Sequence, residues 1–300
     1  MKKKLIAVFF VCSLGMAAHS ETNLVISSFS RNGELSWSNC TGAIQYRVEW
    51  APTLNGMWTN SWASLNAIAA TNSTYTVQVP MFYRLVAMFP DYARLLLHCD
   101  GTNGAVSFPD AAGGHSVTAF GDAHVSTAQS KFGNAAYFDG NGDYLETADS
   151  PDFDPGGQAF TIDFWMYPLD DYGPSCPIGK SIPDAGQGYD IRLYQNAIHV
   201  VGVNGWADNI ISDASISIGA WYHVAVSSTT NTVYLFINGV QKGTCPRSNI
   251  PDTSIPLRVG KTGQGGINPF CGYMDEVRFS LGIARWTNNF AVPASPYVDD

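Results

Sequence analysis

The chain has 300 residues, of which 14% are charged and 13% are aromatic, and its formal net charge is −9. Such acidity argues against nucleic acid or an anionic lipid surface as the natural partner. Few charges together with 29 glycines are typical of short strands joined by tight turns and argue against a helical bundle. The length is sufficient for two separate cores.

The first twenty residues have the pattern of a secretory signal peptide. Three lysines at positions 2–4 precede an apolar stretch over residues 5–16, which is too short to span a bilayer. The small residues Ala18 and Ser20 then lie before a plausible cleavage point. An N-terminal membrane anchor is the alternative. We expect residues 1–20 to be removed, leaving a secreted, periplasmic or cell-surface protein with no transmembrane segment.

Residues 21–88 predict a small β-sandwich. Tyr46, Val48 and Trp50 alternate with period two, and Asn-Gly and Thr-Gly dipeptides divide the region into short strands. The segments around Tyr46–Ala51 and Pro80–Arg84 resemble fibronectin-type-III-like modules of secreted bacterial proteins. The resemblance implies a fibronectin-III-like sandwich over this region.

Residues 89–300 form a second, longer block with recurring strand and turn motifs. The motifs, in chain order, are Leu95–Gly101, Ser130–Gly140, Gly142–Leu145, Phe160–Pro168, Trp221–Val226, Tyr234–Gly239, Gly272–Arg278 and Ile283–Arg285. In this order they resemble the laminin-G-like jelly roll of the concanavalin A-like lectin/glucanase superfamily. The expected fold class is therefore all-β: a small immunoglobulin- or fibronectin-III-like sandwich followed by a concanavalin A-like jelly-roll sandwich.

Alternation within residues 160–167 separates a core face from a second face. Phe160, Ile162, Phe164 and Met166 point one way, whereas Asp163, Trp165 and Tyr167 point the other. An acid beside two aromatic rings suits glycan binding, unless a loop such as residues 170–187 covers that face. The predicted ligand-binding residues are Asp163, Trp165, Tyr167, Arg192, Tyr194, Asn204 and Trp206, with Trp221 as a further aromatic candidate.

The sequence does not present the residues of a catalytic centre. A retaining glycosidase needs two carboxylates about 5 Å apart, and the best candidate strand supplies Asp163 alone. Asp275 and Glu276 are adjacent, so an extended strand would point them to opposite faces. No histidine lies beside a recognisable nucleophile turn. We therefore expect a protein that is not an enzyme.

The resemblance implies a structural calcium ion, because laminin-G-like domains often carry one. The predicted ligands are Asp100, Asp110 and Asp275, at strand ends and in a loop where carboxylates and carbonyls meet. Met274 and Val277 are three apart and both look like core residues, which implies a β-bulge between them. Ordinary turn aspartates are the alternative interpretation.

Of six cysteines, Cys12 leaves with the signal peptide, and the spacing of the others matches no zinc motif. Disulfides are expected in an oxidising compartment. The resemblance places the first and the penultimate strands of the domain side by side, which implies a Cys99–Cys271 bond. Cys176 with Cys245 is a second possible pair, and Cys40 then remains single.

These observations predict a secreted, non-catalytic protein that binds carbohydrate or a cell surface. Its partner would be a polysaccharide or surface glycan. A protein–protein adhesion or surface-assembly subunit, with another surface protein as its partner, is the alternative, and a glycosidase or polysaccharide lyase is a third. A glycan binder should show exposed aromatic rings beside polar groups, whereas an adhesion subunit should show a flat apolar patch or an open sheet edge.

Overall fold

The computed structural model describes residues 26–29, 34–39, 43–51, 68–69, 74–76, 82–88, 92–171, 173–263 and 268–298. The chain divides into two compact units, Met1–Asp91 and Tyr92–Asp300. The predicted signal peptide and Cys40 lie outside the described residues. Within the described parts of the chain, no helix has the length and apolarity needed to cross a membrane.

The first unit contains two small antiparallel sheets. Its strands are β1 (Ile26–Phe29), β2 (Glu34–Trp37), β3 (Gln45–Ala51), β4 (Ile68–Ala69), β5 (Thr74–Thr76) and β6 (Phe82–Met88). The strand orders are β1-β2-β5 and β4-β3-β6. Trp37 and Tyr46 are buried and meet edge to face at 5.4 Å. The fibronectin-III-like assignment of this unit stays a prediction.

The second unit is a sandwich of two large sheets. Its strands are β7 (Ala93–Leu97), β8 (Val117–Phe120), β9 (His124–Ser126), β10 (Ala135–Asp139), β11 (Tyr144–Thr147), β12 (Phe160–Pro168), β13 (Ser175–Ile182), β14 (Gln187–Tyr194), β15 (Ala197–Gly202), β16 (Gly205–Ile211), β17 (Tyr222–Ser228), β18 (Thr232–Ile237), β19 (Val240–Pro246), β20 (Leu257–Val259), β21 (Asn268–Pro269) and β22 (Cys271–Leu281). Sheet I has the order β19-β18-β17-β12-β22-β10-β9, with β7 also on β22. Sheet II has the order β16-β15-β14-β13-β20-β11-β8, with β21 beside β13.

The core lies between the two sheets, and the alternation predicted for β12 is confirmed. Phe160, Ile162, Phe164 and Met166 are at most 1% exposed and belong to one apolar cluster with residues of sheet II. The large apolar area that these side chains remove from water is what holds the sheets together. Alternation therefore sends the intervening residues of β12 to the outer face of sheet I.

The predicted β-bulge in β22 is also confirmed. Asp163 lies opposite Arg278, whereas Trp165, two residues later, lies opposite Asp275, so β22 has one extra residue over this interval. Glu276 has φ of 52°, in the left-handed region. The bulge allows Met274 and Val277 to reach the core, although they are three residues apart.

Candidate functional site

The predicted ligand-binding residues do not lie together. Asp163, Trp165 and Tyr167 are on the outer face of sheet I, whereas the other four lie on sheet II. Arg192 and Tyr194 are on β14, and Asn204 and Trp206 are at the β15–β16 hairpin; the side chain of Trp206 is outside the described residues. The prediction that all seven residues form a single binding surface is therefore wrong, because the core separates the two groups.

Asp163 is buried in an ion pair and cannot contact ligand. Its two carboxylate oxygens accept hydrogen bonds from Nε and an Nη of Arg278 at 3.0 and 2.9 Å. Burial by itself would raise the pKa of Asp163, but the charge of Arg278 and the neighbouring His223 outweigh it and hold that pKa well below its usual value. Asp163 is therefore a structural anion, and its prediction as a ligand contact is wrong.

Trp165 is also covered, at 3% exposure. The Lys131 ammonium lies 4.0 Å from the centroid of the indole, and the rings of Phe132 and His223 pack edge-on at 6.1 and 5.1 Å. The cover over Trp165 thus includes the segment before β10, not the segment 170–187 considered from the sequence. The prediction that Trp165 contacts ligand is wrong for the same reason as for Asp163.

The C-terminal segment, residues 283–298, covers part of the outer face of sheet I. Its Tyr297 N–H donates to Glu276 at 2.7 Å, and its Tyr297 hydroxyl lies 2.8 Å from Nε2 of His223. Trp286 and Phe290 stack at 4.0 Å and close over Phe236. This is why a sheet face with apolar residues on both sides is stable in water.

Tyr167 lies beyond this cover, in a line of aromatic side chains that crosses sheet I. The register pairs Tyr167 with Tyr273, Tyr273 with Tyr137, and Tyr137 with His124. Trp221 precedes β17 beside Tyr167. We call these five residues the aromatic ladder: Trp221, Tyr167, Tyr273, Tyr137 and His124.

Successive rings of the aromatic ladder are nearly evenly spaced. From Trp221 to His124 the ring centroids are 5.6, 6.0, 5.0 and 5.4 Å apart. Tyr273, in the middle, is 9% exposed, and the other four are half-buried. The spacing follows from the separation of adjacent strands, because each ring comes from a different strand or its immediate flank.

The ladder combines apolar rings with polar groups. Among the described residues, no hydrogen-bond partner is found for the hydroxyls of Tyr137, Tyr167 and Tyr273. At one end, Nδ1 of His124 donates to the backbone oxygen of Asp122 at 2.6 Å. Successive ring planes are tilted by 45–78°, so individual rings can contact apolar faces of a ligand, and their polar groups can donate or accept hydrogen bonds at the rim.

On sheet II, Arg192 is held by Asp190, to which its guanidinium donates two hydrogen bonds at 3.0 and 2.7 Å. Tyr194 is 36% exposed and packs 5.8 Å from His199. Asn204 is exposed at the hairpin turn, where its backbone bonds with Asn209. Nothing in the described part of sheet II joins these residues into an aromatic line.

A separate aromatic pair, which the sequence interpretation did not single out, lies at the other end of sheet II. Phe120 and Tyr144 stack in parallel at 4.6 Å, and Phe120 is 37% exposed. The cations of Lys261 and Arg258 lie 4.6 and 5.1 Å from the Tyr144 ring. This pair provides a natural comparison for the aromatic ladder.

Of the three predicted calcium ligands, Asp110 already uses both carboxylate oxygens in hydrogen bonds. Its two carboxylate oxygens accept backbone N–H groups of Leu96, Ala112, Gly114 and His115 at 2.9–3.0 Å. It organises its own loop, as a turn aspartate does. Asp110 as a metal ligand is therefore wrong.

Asp100 and Asp275 flank one loop. Asp275 accepts N–H groups of Lys131 and Phe132 on Oδ2, and Asp100 accepts that of Asn134. Oδ1 of Asp275 is buried without a hydrogen-bond partner. Burial chiefly raises the pKa of Asp275 to about 8, and the charges of Glu276 and Asp100 add to this effect.

A cluster of three carboxylates, which the sequence did not suggest, surrounds Lys180. Oxygens of Asp149, Asp154 and Asp252 lie within 4.8 Å of one another. The fully buried Lys180 ammonium lies 2.9 Å from Asp149 and 2.8 Å from Asp154, and it also donates to Thr253. The lysine thus supplies the positive charge of this cluster from within the chain.

The four described cysteines are free thiols. The predicted pairing of β7 with β22 is present, but Leu97 lies opposite Val277. Cys99 therefore lies beside Asp275, four residues from Cys271, which at about 3.3 Å per residue is roughly 13 Å and beyond disulfide reach. Cys176 and Cys245 lie on different sheets. Both predicted disulfides are wrong.

Residues 138–281 match a family model described as the concanavalin A-like lectin/glucanases superfamily, a laminin-G-type model. The second unit has a concanavalin A-like jelly-roll fold, and a large part of it is similar to the laminin-G-type model. The sequence resemblance and the all-β fold class of this unit are thus confirmed. A search among curated proteins finds no match to the chain.

A solved structure has a similar fold, and others align less closely. The binding domain of Paraclostridial Mosquitocidal Protein 1 aligns with a TM-score of 0.53 and 14% identity, over 65% of this chain and 50% of that chain. Domain 4 of AbnA, a GH43 extracellular arabinanase from Geobacillus stearothermophilus solved with arabinotriose, gives 0.45 and 20% over 64% and 94%. The botulinum neurotoxin serotype D binding domain gives 0.48 and 14% over 65% and 49%. The chain therefore spans only half of the mosquitocidal binding domain, and the likeness is one of fold.

Proposed function

We propose that the laminin-G-like domain is a non-catalytic carbohydrate-binding domain of an exported protein, and that the aromatic ladder is its binding face. The observation that carries the proposal is the line of five rings across sheet I, four of them half-buried around the central, largely buried Tyr273. The centroid spacing of 5.0–6.0 Å is comparable to the length of one hexose unit, so neighbouring rings can meet neighbouring sugars of a chain. Tyrosine hydroxyls at the rim can bond sugar hydroxyls.

The buried carboxylates Asp163 and Glu276 of sheet I do not suit catalysis. Asp163 is neutralised by Arg278 and lies under the C-terminal segment. Glu276 accepts hydrogen bonds from His98 and from the Tyr297 backbone. A glycosidase acid needs an open position beside the scissile bond, and these buried, paired groups do not offer one.

The alternative partner is another surface protein, bound through a flat apolar patch. The most exposed apolar side chains of the domain lie on different elements: Val106 and Ile218 in loops, Ile211 on β16 and Val240 on β19. Since β16 and β19 are neighbours, Ile211 and Val240 lie along adjoining sheet edges, and a protein partner stays the alternative. Secretion, a periplasmic location and the cell surface are all consistent with the proposal.

Replacing Tyr137 by alanine tests the proposal. The ring is half-buried and lies next to the central Tyr273, so its loss should weaken binding by about 1–3 kcal/mol, roughly 5- to 150-fold, with little change in the melting temperature. Retention of the wild-type chain on a panel of immobilised polysaccharides identifies the ligand, and affinity electrophoresis then compares the variants.

The matched control is Phe120→Ala, which removes an exposed aromatic ring from sheet II. It should bind as the wild type does. Equal weakening in both variants, or loss only in Phe120→Ala, would remove the ladder as the binding face. Failure of the wild-type chain to bind any member of a broad panel would contradict the carbohydrate-binding function itself.

We also propose that Asp100 and Asp275 hold a structural calcium ion. The buried and unpartnered Oδ1 of Asp275 beside a second carboxylate fits a hard cation, which prefers oxygen ligands. A bound ion would neutralise both carboxylates and tie together β7, β22 and the loop over residues 131–134.

Chelation should then lower the melting temperature of the protein. At a free calcium concentration about 100 times the Kd, the ion stabilises the native state by about 2.7 kcal/mol, which corresponds to roughly 5–10 °C in a domain of this size. Calorimetry with excess calcium or excess chelator measures the shift, and Asp275→Asn should abolish it. An unchanged melting curve would leave both residues as loop-ordering aspartates.

A further inference from the structure

Carboxylates line one of the two long sides of the aromatic ladder. Asp139 and Cys271 are opposite each other on β10 and β22, and each is two residues from a ladder tyrosine and on the same face. Asp170 follows β12, and Asp122 precedes β9. Asp122, Asp139 and Asp170, together with Asp143 beneath them, are called the acidic rim.

The acidic rim is ordered by backbone hydrogen bonds. The buried Asp143 accepts the N–H groups of Asp122 and Asp139 on its two oxygens, and Asp139 accepts that of Asn141. Asp139 and Asp122 are themselves exposed. Two exposed carboxylates are thereby held in fixed positions beside Tyr137 and His124.

The charge of the acidic rim acts on the groups next to the ladder. Burial chiefly raises the pKa of Cys271 to about 11, and the charges of Asp170, Asp139 and Asp143 add to the effect. Burial likewise raises the pKa of Tyr137, and Asp139 and Asp143 again contribute. A negative potential therefore covers the Tyr273–Tyr137 part of the ladder.

The opposite long side of the ladder carries a cation. The Lys131 ammonium lies 4.0 Å from the Trp165 ring centroid and 5.7 Å from that of Phe132. The carboxylates on that side are Asp275, which is buried, and Asp100, which accepts the N–H of Asn134. His124 uses Nδ1 for the Asp122 backbone. The exposed charge two residues from Tyr137 on the same face is that of Asp139, and it is negative.

We infer that the ladder selects glycans made of neutral or amino sugars and rejects those carrying carboxylate or sulfate groups. The inference rests on the proposed function. A sugar stacked on Tyr137 or Tyr273 directs substituents toward Asp139, which can only accept hydrogen bonds when ionised. A hydroxyl or ammonium group can donate to it, whereas a second anion cannot donate and is repelled. The formal net charge of −9 acts in the same direction at long range.

The test uses sugar chains that differ in charge alone. For each polysaccharide that the wild-type protein retains, neutral, amino and uronate oligomers with the same linkage are compared. The β-1,4-linked oligomers of glucose, glucosamine and glucuronate are included in every case. Affinities are measured by calorimetry at low salt. We expect the uronate oligomer to bind at least about tenfold more weakly than the neutral one, and the amino oligomer to bind as well or better. The difference should shrink in 0.5 M salt, because added ions screen exposed charges.

Asp139→Asn should raise the ratio of uronate affinity to neutral-oligomer affinity about three- to tenfold. Asp184→Asn is the matched control, because it makes the same change in net charge at an exposed turn between β13 and β14 of sheet II. Uronate binding equal to or tighter than neutral binding, or equal gains in both variants, would overturn the charge selection and leave the proposed function intact. Absence of binding to every oligomer and polysaccharide would overturn the proposed function as well.

Discussion

Replacing Arg278 by methionine is expected to lower the free energy of unfolding by about 3–5 kcal/mol. Asp163 is fully buried, and Arg278 supplies both of its charged hydrogen bonds. Without the guanidinium, an uncompensated carboxylate remains in the interior beside Tyr297 and beside His223, whose pKa is lowered chiefly by burial. Urea unfolding of the wild type and the variant at pH 7.5 measures the difference.

The pH dependence separates charge from packing. The depressed pKa of Asp163 contributes stability that is present above its unfolded value of about 3.9 and is lost as pH falls through the lower folded value. In Arg278→Met the pKa of the buried Asp163 carboxyl should instead be raised. Acidification should therefore reduce the difference in unfolding free energy between the wild type and the variant. Adding Asp163→Leu to Arg278→Met should recover much of the loss. A loss below about 1 kcal/mol, or no recovery in the double variant, would contradict the role assigned to this pair.

Replacing Lys180 by methionine should cost roughly 2–3 kcal/mol at neutral pH. The figure lies below the range for a fully buried pair because Asp149 is partly exposed and water screens it. Asp154, at 14% side-chain exposure, would lose the ammonium that lies 2.8 Å away. Two or three carboxylates would then repel one another around an apolar side chain.

This loss should depend on pH with a definite sign. Burial raises the pKa of Asp154 to about 6, and Asp252 adds to the rise while Lys180 opposes it. Because the native state then holds a proton that the unfolded chain releases, this group contributes less stability as pH rises from about 4 to 6. Removing Lys180 raises the pKa of Asp154 further and extends this pH range upward. The variant should therefore lose more free energy of unfolding at pH 7.5 than at pH 5.0.

Chemical denaturation at both pH values tests the Lys180 cluster, with Lys180→Met plus Asp154→Asn as the control that removes one repelling charge. The double variant should be more stable than Lys180→Met at pH 7.5 and similar to it at pH 5.0. Equal losses at the two pH values would mean that Lys180 acts only through the packing of its aliphatic chain.

The sequence was sufficient to predict which way the side chains of β12 point, but not what lies over them. Alternation is a local property, so the core face of Phe160 and Phe164 could be predicted correctly. Lys131 and Phe132 cover Trp165, and residues 283–298 pack on the neighbouring His223; both segments are distant from β12 in sequence. Periodicity within one strand carries no information about such contacts, which is why Asp163 and Trp165 were misplaced.

The register between strands explains the other differences between the sequence-based predictions and the structure. The adjacency of β7 and β22 followed from the family resemblance, but the Cys99–Cys271 bond required a register that is wrong by four residues. The outward direction of Tyr273 and Tyr137 was readable from their apolar neighbours Met274 and Phe138. Their alignment with Tyr167 was not, because it depends on the bulge at Glu276 and on pairings between distant strands.

Cys271 lies beside the ladder, and its alkylation reports whether a glycan is bound there. It is the partly exposed thiol among the four described cysteines, and it lies two residues from Tyr273. Its alkylation by iodoacetamide at about pH 9, followed by peptide mass spectrometry, is compared with and without each polysaccharide that the protein retains. A bound glycan on the ladder should slow alkylation of Cys271 severalfold and leave the buried Cys99 and Cys176 unchanged. A retained polysaccharide that leaves the alkylation rate of Cys271 unaltered would place the binding face elsewhere on the molecule.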